Sequence, residues 1–191
     1  MKIGCVILAG GKSSRMGEDK ATLKYKGKSF IEVIAEKLDF FEEKVIARGN
    51  NSDLMMDDGW SVIPDEYPEH GPLGGLHATL KKCKSDAMFV VSCDMPLITK
   101  KLVKKICDIF ATTSKVDAVI VVTSDGKIHP LCGIYRKEQY TSMEEKLLQN
   151  NNRIMAILEE KNIKYVELDE EDSRCLENIN TKDDYKAIIR I

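Results

Sequence analysis

The chain has 191 residues, 43% of them hydrophobic and 31% charged, with a formal net charge of −2. These values describe an ordinary globular chain of one-domain length, 1–191. They exclude a bulk charge that would draw the protein to nucleic acid or to an anionic membrane, so neither is expected as a partner.

The chain opens with Met1-Lys2 and an apolar stretch from Ile3 to Ala9 that stops at Gly10-Gly11. That stretch is too short for a secretory signal, and no apolar run approaches the roughly 20 residues of a membrane span. A cytoplasmic protein is expected. Ile3 to Ala9 instead reads as a buried strand. Ser29 is placed as an N-cap with Glu32 three residues on, a capping box for a helix whose apolar face is Phe30, Ile31, Val33, Ile34, Ala35 and Leu38. Lys44 to Ala47 and Trp60 to Ile63 are strand candidates, the second stopped by Pro64. Gly71-Pro72-Leu73-Gly74-Gly75 opens a helix with Pro72 in its first turn. Ala87 to Ser92 is a strong strand running into Cys93-Asp94-Met95-Pro96, and Thr99 caps a helix to about Phe110. Ala118 to Val122 is a strand, and His129 to Tyr135, with its Pro and Gly, an antiparallel or edge strand. Helices over Glu138–Gln149 and Ile154–Lys161, a strand over Ile163–Leu168 and a helix over Lys182–Ile189 complete the chain.

This alternation argues for a three-layer α/β/α sandwich with a mostly parallel sheet. Ligands of such sheets bind beyond the carboxyl ends of the strands, so the loops after Ala9 and after Ser92 matter most. The six cysteines (Cys5, Cys83, Cys93, Cys107, Cys132 and Cys175) contain no C-x-x-C pair and read as buried reduced thiols.

The first loop, Leu8 to Lys20, reads L-A-G-G-K-S-S-R-M-G-E-D-K. Gly10 and Gly11 permit a sharp turn and close approach to a ligand, and successive N–H groups in such a turn can cup phosphate oxygens. Lys12, Arg15 and Lys20 place three cations within nine residues. A guanidinium can grip two phosphate oxygens, and an ammonium acts as a point charge. Gly17 is followed by Glu18-Asp19 rather than Lys-Ser/Thr, which excludes a Walker A loop, and Gly-x-Gly-x-x-Gly is absent.

The whole string resembles the signature L-A-G-G-x-S-x-R-M-G-x-D-K of molybdenum cofactor guanylyltransferases. Five further segments match that family in order: Val62-Ile63-Pro64-Asp65, Gly71-Pro72-Leu73-Gly74-Gly75, Cys93-Asp94-Met95-Pro96, His129-Pro130-Leu131 and Asn178-Ile179-Asn180-Thr181. The resemblance implies a Rossmann-like, glycosyltransferase-A type nucleotidyltransferase. It would transfer GMP from GTP to the phosphate of Mo-molybdopterin, with Mg2+ as cofactor. It implies catalytic roles for Arg15, Lys20 and Asp94, with Asp94 holding the metal. The nucleotide would be bound by Leu8, Ala9, Gly10, Gly11, Lys20, Asn50, Asp65 and Asp94, with Asp65 on the guanosine portion. The Asn50 carry-over departs from the usual spacing, and an ungapped alignment points nearer Ala47. Cofactor-synthesis proteins or apo-molybdoenzymes are further partners compatible with this reading.

Read from the residues alone, Asp94 also suits a turn before Pro96, and Asn180 or Thr181 an N-cap of the last helix. His129 reads as structural or substrate-side, because attack by a phosphate needs no histidine base. A cytidylyltransferase acting on molybdopterin or on a sugar or polyol phosphate is the nearest alternative. Such relatives resemble L-A-A-G-x-G, whereas Gly10 and Ser13 here favour guanine. A non-catalytic nucleotide-binding module of the same fold is the other alternative.

Overall fold

A computed structural model of the chain describes residues 1–10, 23–49, 59–67 and 70–189. Among them, a seven-stranded sheet has the order β5-β4-β1-β6-β8-β7-β9. The strands are β1 (Ile3–Leu8), β4 (Lys44–Ala47), β5 (Trp60–Ile63), β6 (Ala87–Ser92), β7 (Ala118–Val122), β8 (Ile128–Arg136) and β9 (Ile163–Glu167). Every pairing is parallel except those that β8 makes with β6 and β7. A two-stranded hairpin, β2 (Lys24–Tyr25) and β3 (Lys28–Ser29), stands apart from it.

Strands β1 and β6 lie inside the sheet and are covered on both faces, which is why they read as near-continuous apolar runs rather than alternating ones. Cys5 to Leu8 and Ala87 to Val91 are all buried. One face carries α1 (Phe30–Lys37) and α3 (Lys100–Thr112), whose Ile31, Ile34, Leu102 and Ile106 pack with Ile7 and Phe89. The other carries α2 (Pro72–Lys82), α4 (Tyr140–Leu148) and α5 (Ile154–Leu158), whose Leu73, Leu76, Met143 and Ile157 pack with Val6, Val90 and Ile120. Burying each such Leu, Ile or Phe contributes about 1.5–3 kcal/mol relative to leaving it exposed. Two layers of this kind on one sheet make the expected three-layer α/β/α sandwich.

The local signals fall where the chain places them. Ser29 accepts from the N–H of Glu32, whose carboxylate accepts in return from the N–H of Ser29, so the capping box closes. Pro72 occupies the first turn of α2, and Thr99 caps α3 through the N–H of Leu102. The last helix, α7 (Lys182–Ile189), is capped by the Thr181 hydroxyl, which accepts from the N–H of Asp184. Between β9 and α7 a short helix, α6 (Glu170–Arg174), starts where the Asp169 carboxylate accepts from the N–H of Asp172. All six cysteines are free. Burial pushes the thiol of Cys83 up to about 11 and that of Cys132 up to about 12, as expected for inert packing residues. No helix among the described residues is long and apolar enough to cross a membrane.

Strand β8 takes the antiparallel of its two expected alternatives. It runs inside the sheet between β6 and β7 rather than along an edge. Its Pro130 is tolerated because the pairing with β7 shifts there: Gly133 faces Ile120, and the next β7 residue, Val121, faces His129. The intervening Pro130 to Cys132 bulge away from that ladder, which is where a strand can accommodate a residue without an N–H. Gly133 marks the closest approach. A Cβ built on it would lie 2.3 Å from the carbonyl oxygen of Val119 and 2.9 Å from the Ile120 side chain. Both obstacles belong to a central strand that cannot move aside. Gly133→Ala is therefore expected to destabilise the fold by about 2–3 kcal/mol, read as a lower urea midpoint with an unchanged slope.

Candidate functional site

Parallel alignment brings the ends of β5, β4, β1 and β6 to one edge of the sheet. The ladder runs on past the strands themselves. The N–H of Ala9 donates to Ala47 (2.8 Å), that of Cys93 to Leu8 (3.0 Å) and that of Arg48 to Ile63 (3.2 Å). The loops beginning at Ala9, Arg48, Pro64 and Cys93 thus leave the sheet side by side. Leu8 and Ala9 are buried at this edge and Gly10 is half-buried.

Asp65 leaves the end of β5 and turns its carboxylate toward glycines from two loops. A Cβ built on Gly10 would lie 3.8 Å from Asp65 Oδ2, and one on Gly74 would lie at the same distance from it. On Gly75 it would lie 3.1 Å from Oδ1 and 3.2 Å from the Ala47 side chain. Side chains at these positions would fill the space in front of the carboxylate, so the glycines keep it open to a ligand. Gly74 and Gly75 belong to the first turns of α2, whose N-terminus has no side-chain cap. The unpaired N–H groups of a helix start favour an anionic ligand. Oδ1 of Asp65 is buried and has no hydrogen-bond partner among the described residues. Burial pushes its carboxyl above the ordinary value of 3.8. A buried acceptor without a donor is costly in the free protein, and a ligand N–H would satisfy it.

Asp94 stands half-buried beyond β6. Its carbonyl accepts from the N–H of Ile179 at 2.9 Å, which brings the Asn178–Asn180 segment to the same strand end. The amide oxygen of Asn178 is buried and has no hydrogen-bond partner among the described residues. A carboxylate and an amide oxygen carried on segments that meet at one strand end are the donor types of a hard divalent ion, which takes one or two protein oxygens and completes its shell with water and substrate phosphates. Among the described residues no group of three or more His, Cys, Asp and Glu could cage an ion by itself.

On the far side of Asp94 the turn between β7 and β8 opens a second space. A cavity of about 330 Å3 is lined by Thr123, Lys127, His129, Ser173 and Arg174 among others. His129 is buried, with Nε2 3.2 Å from the Thr123 hydroxyl. Burial first, then Lys127, lowers its pKa, against the opposing pull of Asp125 and Asp94. A neutral imidazole held by a hydroxyl fits the structural or substrate-side expectation. This cavity was not legible in the sequence, because the residues that line it come together from the β7–β8 turn, β8, α6 and the segment after α6.

Of the sequence-predicted residues, Leu8, Ala9, Gly10, Asp65 and Asp94 meet at this edge. Gly11, Arg15, Lys20 and Asn50 lie outside the described residues. Ala47, where the ungapped alignment pointed, is buried beneath Gly75. Sequence reasoning passed over Gly49, whose N–H nitrogen would lie 3.7 Å from a Cβ on Gly10.

The MobA-like NTP transferase domain model matches residues 5–166. A relative from Clostridium perfringens strain 13, named "Probable molybdenum cofactor guanylyltransferase", is 37% identical, with 100% of this chain and 98% of that one covered. The chain belongs to this family. The "Molybdenum cofactor guanylyltransferase" of Vibrio cholerae is 31% identical across 92% of this chain and 86% of its own. A crystal structure of a protein from Aquifex aeolicus superposes with a TM-score of 0.78 at 33% identity, covering 94% of each chain. The sheet with its reversed strand β8 is thus that of a nucleotidyltransferase enzyme.

The half-buried Asp65 carboxylate couples stability to pH. Its folded pKa is raised above the unfolded one, so its ionisation opposes folding. That penalty is complete above the folded value and vanishes as pH falls through 3.8. Asp65→Asn should therefore raise the urea midpoint of the ligand-free protein at pH 7, with the gain shrinking toward pH 4. The same substitution should weaken nucleotide binding by about tenfold or more, measured by titration calorimetry.

Proposed function

We propose that the protein is a molybdenum cofactor guanylyltransferase that transfers GMP from GTP to the terminal phosphate of Mo-molybdopterin and releases pyrophosphate. The single observation that carries the reading is the Asp65 carboxylate, held open by Gly10, Gly74 and Gly75 at the sheet edge shared with Asp94. A carboxylate accepts from two adjacent donors at once, which suits the ring N–H and amino group of guanine. The similarity to guanylyltransferases across the whole chain supports the same nucleotide.

In this reading GTP lies across the ends of β1, β4 and β5, with its triphosphate over the first loop. The backbone from Leu8 to Gly11 shapes the nucleotide pocket, and Asn50 is retained as a nucleotide contact from the sequence pattern. Arg15 and Lys20 neutralise the triphosphate and the charge that develops on departing pyrophosphate. Asp94 would hold Mg2+, with the Asn178 amide oxygen on the segment joined to Asp94 as a candidate further donor. When bound, Mg2+ supplies charge neutralisation at the phosphates. An acceptor phosphate oxygen attacks the α-phosphorus in line; the new P–O bond forms as the bond to the β-phosphate bridge breaks. The attacking group is already anionic near neutral pH, so no side chain need remove a proton, and the chain acts by positioning and charge stabilisation. The buried, neutral His129 agrees with that. A cytoplasmic location and contact with cofactor-synthesis proteins or apo-molybdoenzymes belong to the same proposal.

The test is pyrophosphate release with GTP, Mg2+ and Mo-molybdopterin, together with mass detection of the guanine dinucleotide product. Both should appear. Tighter binding of CTP than of GTP would instead make the protein a cytidylyltransferase, and nucleotide binding without turnover would make it a non-catalytic module. Asp94→Ala should lower Mg2+-dependent turnover by at least about a thousandfold with an unchanged melting midpoint. Full activity in that variant would remove Asp94 from the site.

A further inference from the structure

Among the described residues nothing holds the Oδ1 atom of Asp65, so its aim depends on the backbone that carries it. That backbone continues into Glu66 and Tyr67, and both are fastened to helices behind the site. Glu66 pairs with Lys81 at 3.0 Å and with Lys82 at 3.1 Å. The Tyr67 hydroxyl donates to Glu144 Oε1 at 3.3 Å. The Tyr67 carbonyl oxygen crosses α2 where a Cβ on Gly74 would lie only 2.7 Å away.

Glu144 sits on α4, outside the nucleotide edge, and one of its oxygens gathers the network. Oε1 accepts from Lys81 Nζ at 3.0 Å and from the Tyr67 hydroxyl, and lies 3.6 Å from His77 Nε2. Lys81 therefore bridges Glu144 on one side and Glu66 on the other. His77 is fully buried beneath them, and among the described residues neither ring nitrogen has a hydrogen bond. The Tyr67 ring meets it edge-on at 5.2 Å, and the Tyr140 ring flanks it at 6.4 Å. A buried, unbonded imidazole acts here as a rigid spacer, against which the Tyr67 ring is pressed while its hydroxyl is held by Glu144.

We propose that Glu144 is a positioning residue for the nucleotide site: through Lys81 and Tyr67 it holds the Asp65–Tyr67 segment against α2 and so fixes the aim of the Asp65 carboxylate at the base. This rests on the reading of Asp65 as the nucleotide-facing carboxylate. A positioning role makes a separable prediction, because the reacting phosphates lie toward Asp94 rather than toward α4. Loosening Glu144 raises the cost of ordering Asp65 when the nucleotide binds and leaves the bond-making step unchanged.

The experiment is steady-state kinetics of the full chain with GTP as the varied substrate, with calorimetric GTP binding alongside. Glu144→Gln keeps the shape and removes the charge. It should raise the KM for GTP by about fivefold while kcat stays within about twofold. Tyr67→Phe should shift KM in the same direction by less, and Glu144→Asp, which restores the charge, should recover part of the loss. In an Asp65→Asn background the effect of Glu144→Gln should disappear, since it acts through that carboxylate. An unchanged KM in Glu144→Gln, a fall in kcat alone, or an equal KM effect with and without Asp65 would overturn the proposal. If Asp65→Asn itself leaves GTP affinity unchanged, the nucleotide reading of Asp65 fails and this proposal falls with it. If Asp65→Asn weakens binding and Glu144→Gln does not, only the role of Glu144 is lost.

Discussion

A half-buried carboxylate, with one oxygen that meets no donor among the described residues, is the constraint around which this edge of the molecule is built. Asp65 can occupy its position only because three parallel strands end in register and the residues opposite it have no side chains. The arrangement is unfavourable in isolation, since an acceptor removed from water keeps its desolvation cost until something donates to it. The rest of the local structure supplies what holds it there: Ala47 beneath Gly75, the Tyr67 carbonyl over Gly74, and the ion-pair network on α2 and α4. The cost of an Asp65 oxygen without a donor among the described residues and the readiness of the edge for a ligand with paired N–H donors are the same physical fact.

The reversed strand β8 divides the carboxyl edge of the sheet. On one side lie β1, β4 and β5 with the glycine-rich loops and Asp65. On the other lie β7 and β9, with the cavity bordered by His129, Lys127 and Arg174. Asp94, at the end of β6, stands at the boundary. The irregular pairing between β7 and β8 serves that division, because the bulge at Pro130 to Cys132 lets His129 reach Thr123 while Gly133 stays packed against Val119.

Legibility from the sequence followed the range of the interaction concerned. The capping box at Ser29 and Glu32, the proline-first helix at Pro72 and the buried runs of β1 and β6 each depend on neighbours within a few positions, and each was readable. The interior placement of β8 was not, because Pro130 and Gly133 ordinarily signal an edge. Their tolerance depends on a register shift against a neighbouring strand, between the pairs Ile120–Gly133 and Val121–His129. Helix α6 is a single turn with five residues, too short for a periodic pattern, and was visible only as Asp169 followed by acidic residues. For the site, the motifs named Asp65 and Asp94 through resemblance, while nothing local distinguished either from an ordinary turn aspartate.

What the sequence determined by itself was the alternation of elements, the loops that would leave the strand ends and the family to which those loops belong. These are properties of contiguous residues, carried by backbone conformation and by side-chain periodicity. Tertiary structure alone decided that Asp65 faces Gly10, Gly74 and Gly75, that Asn178 arrives beside Asp94, and that Glu144 reaches the Asp65 segment through Lys81 and Tyr67. Each of those contacts joins residues separated by at least nine positions and often by dozens. Such contacts arise from the packing of helices across a twisted sheet, which no local pattern encodes.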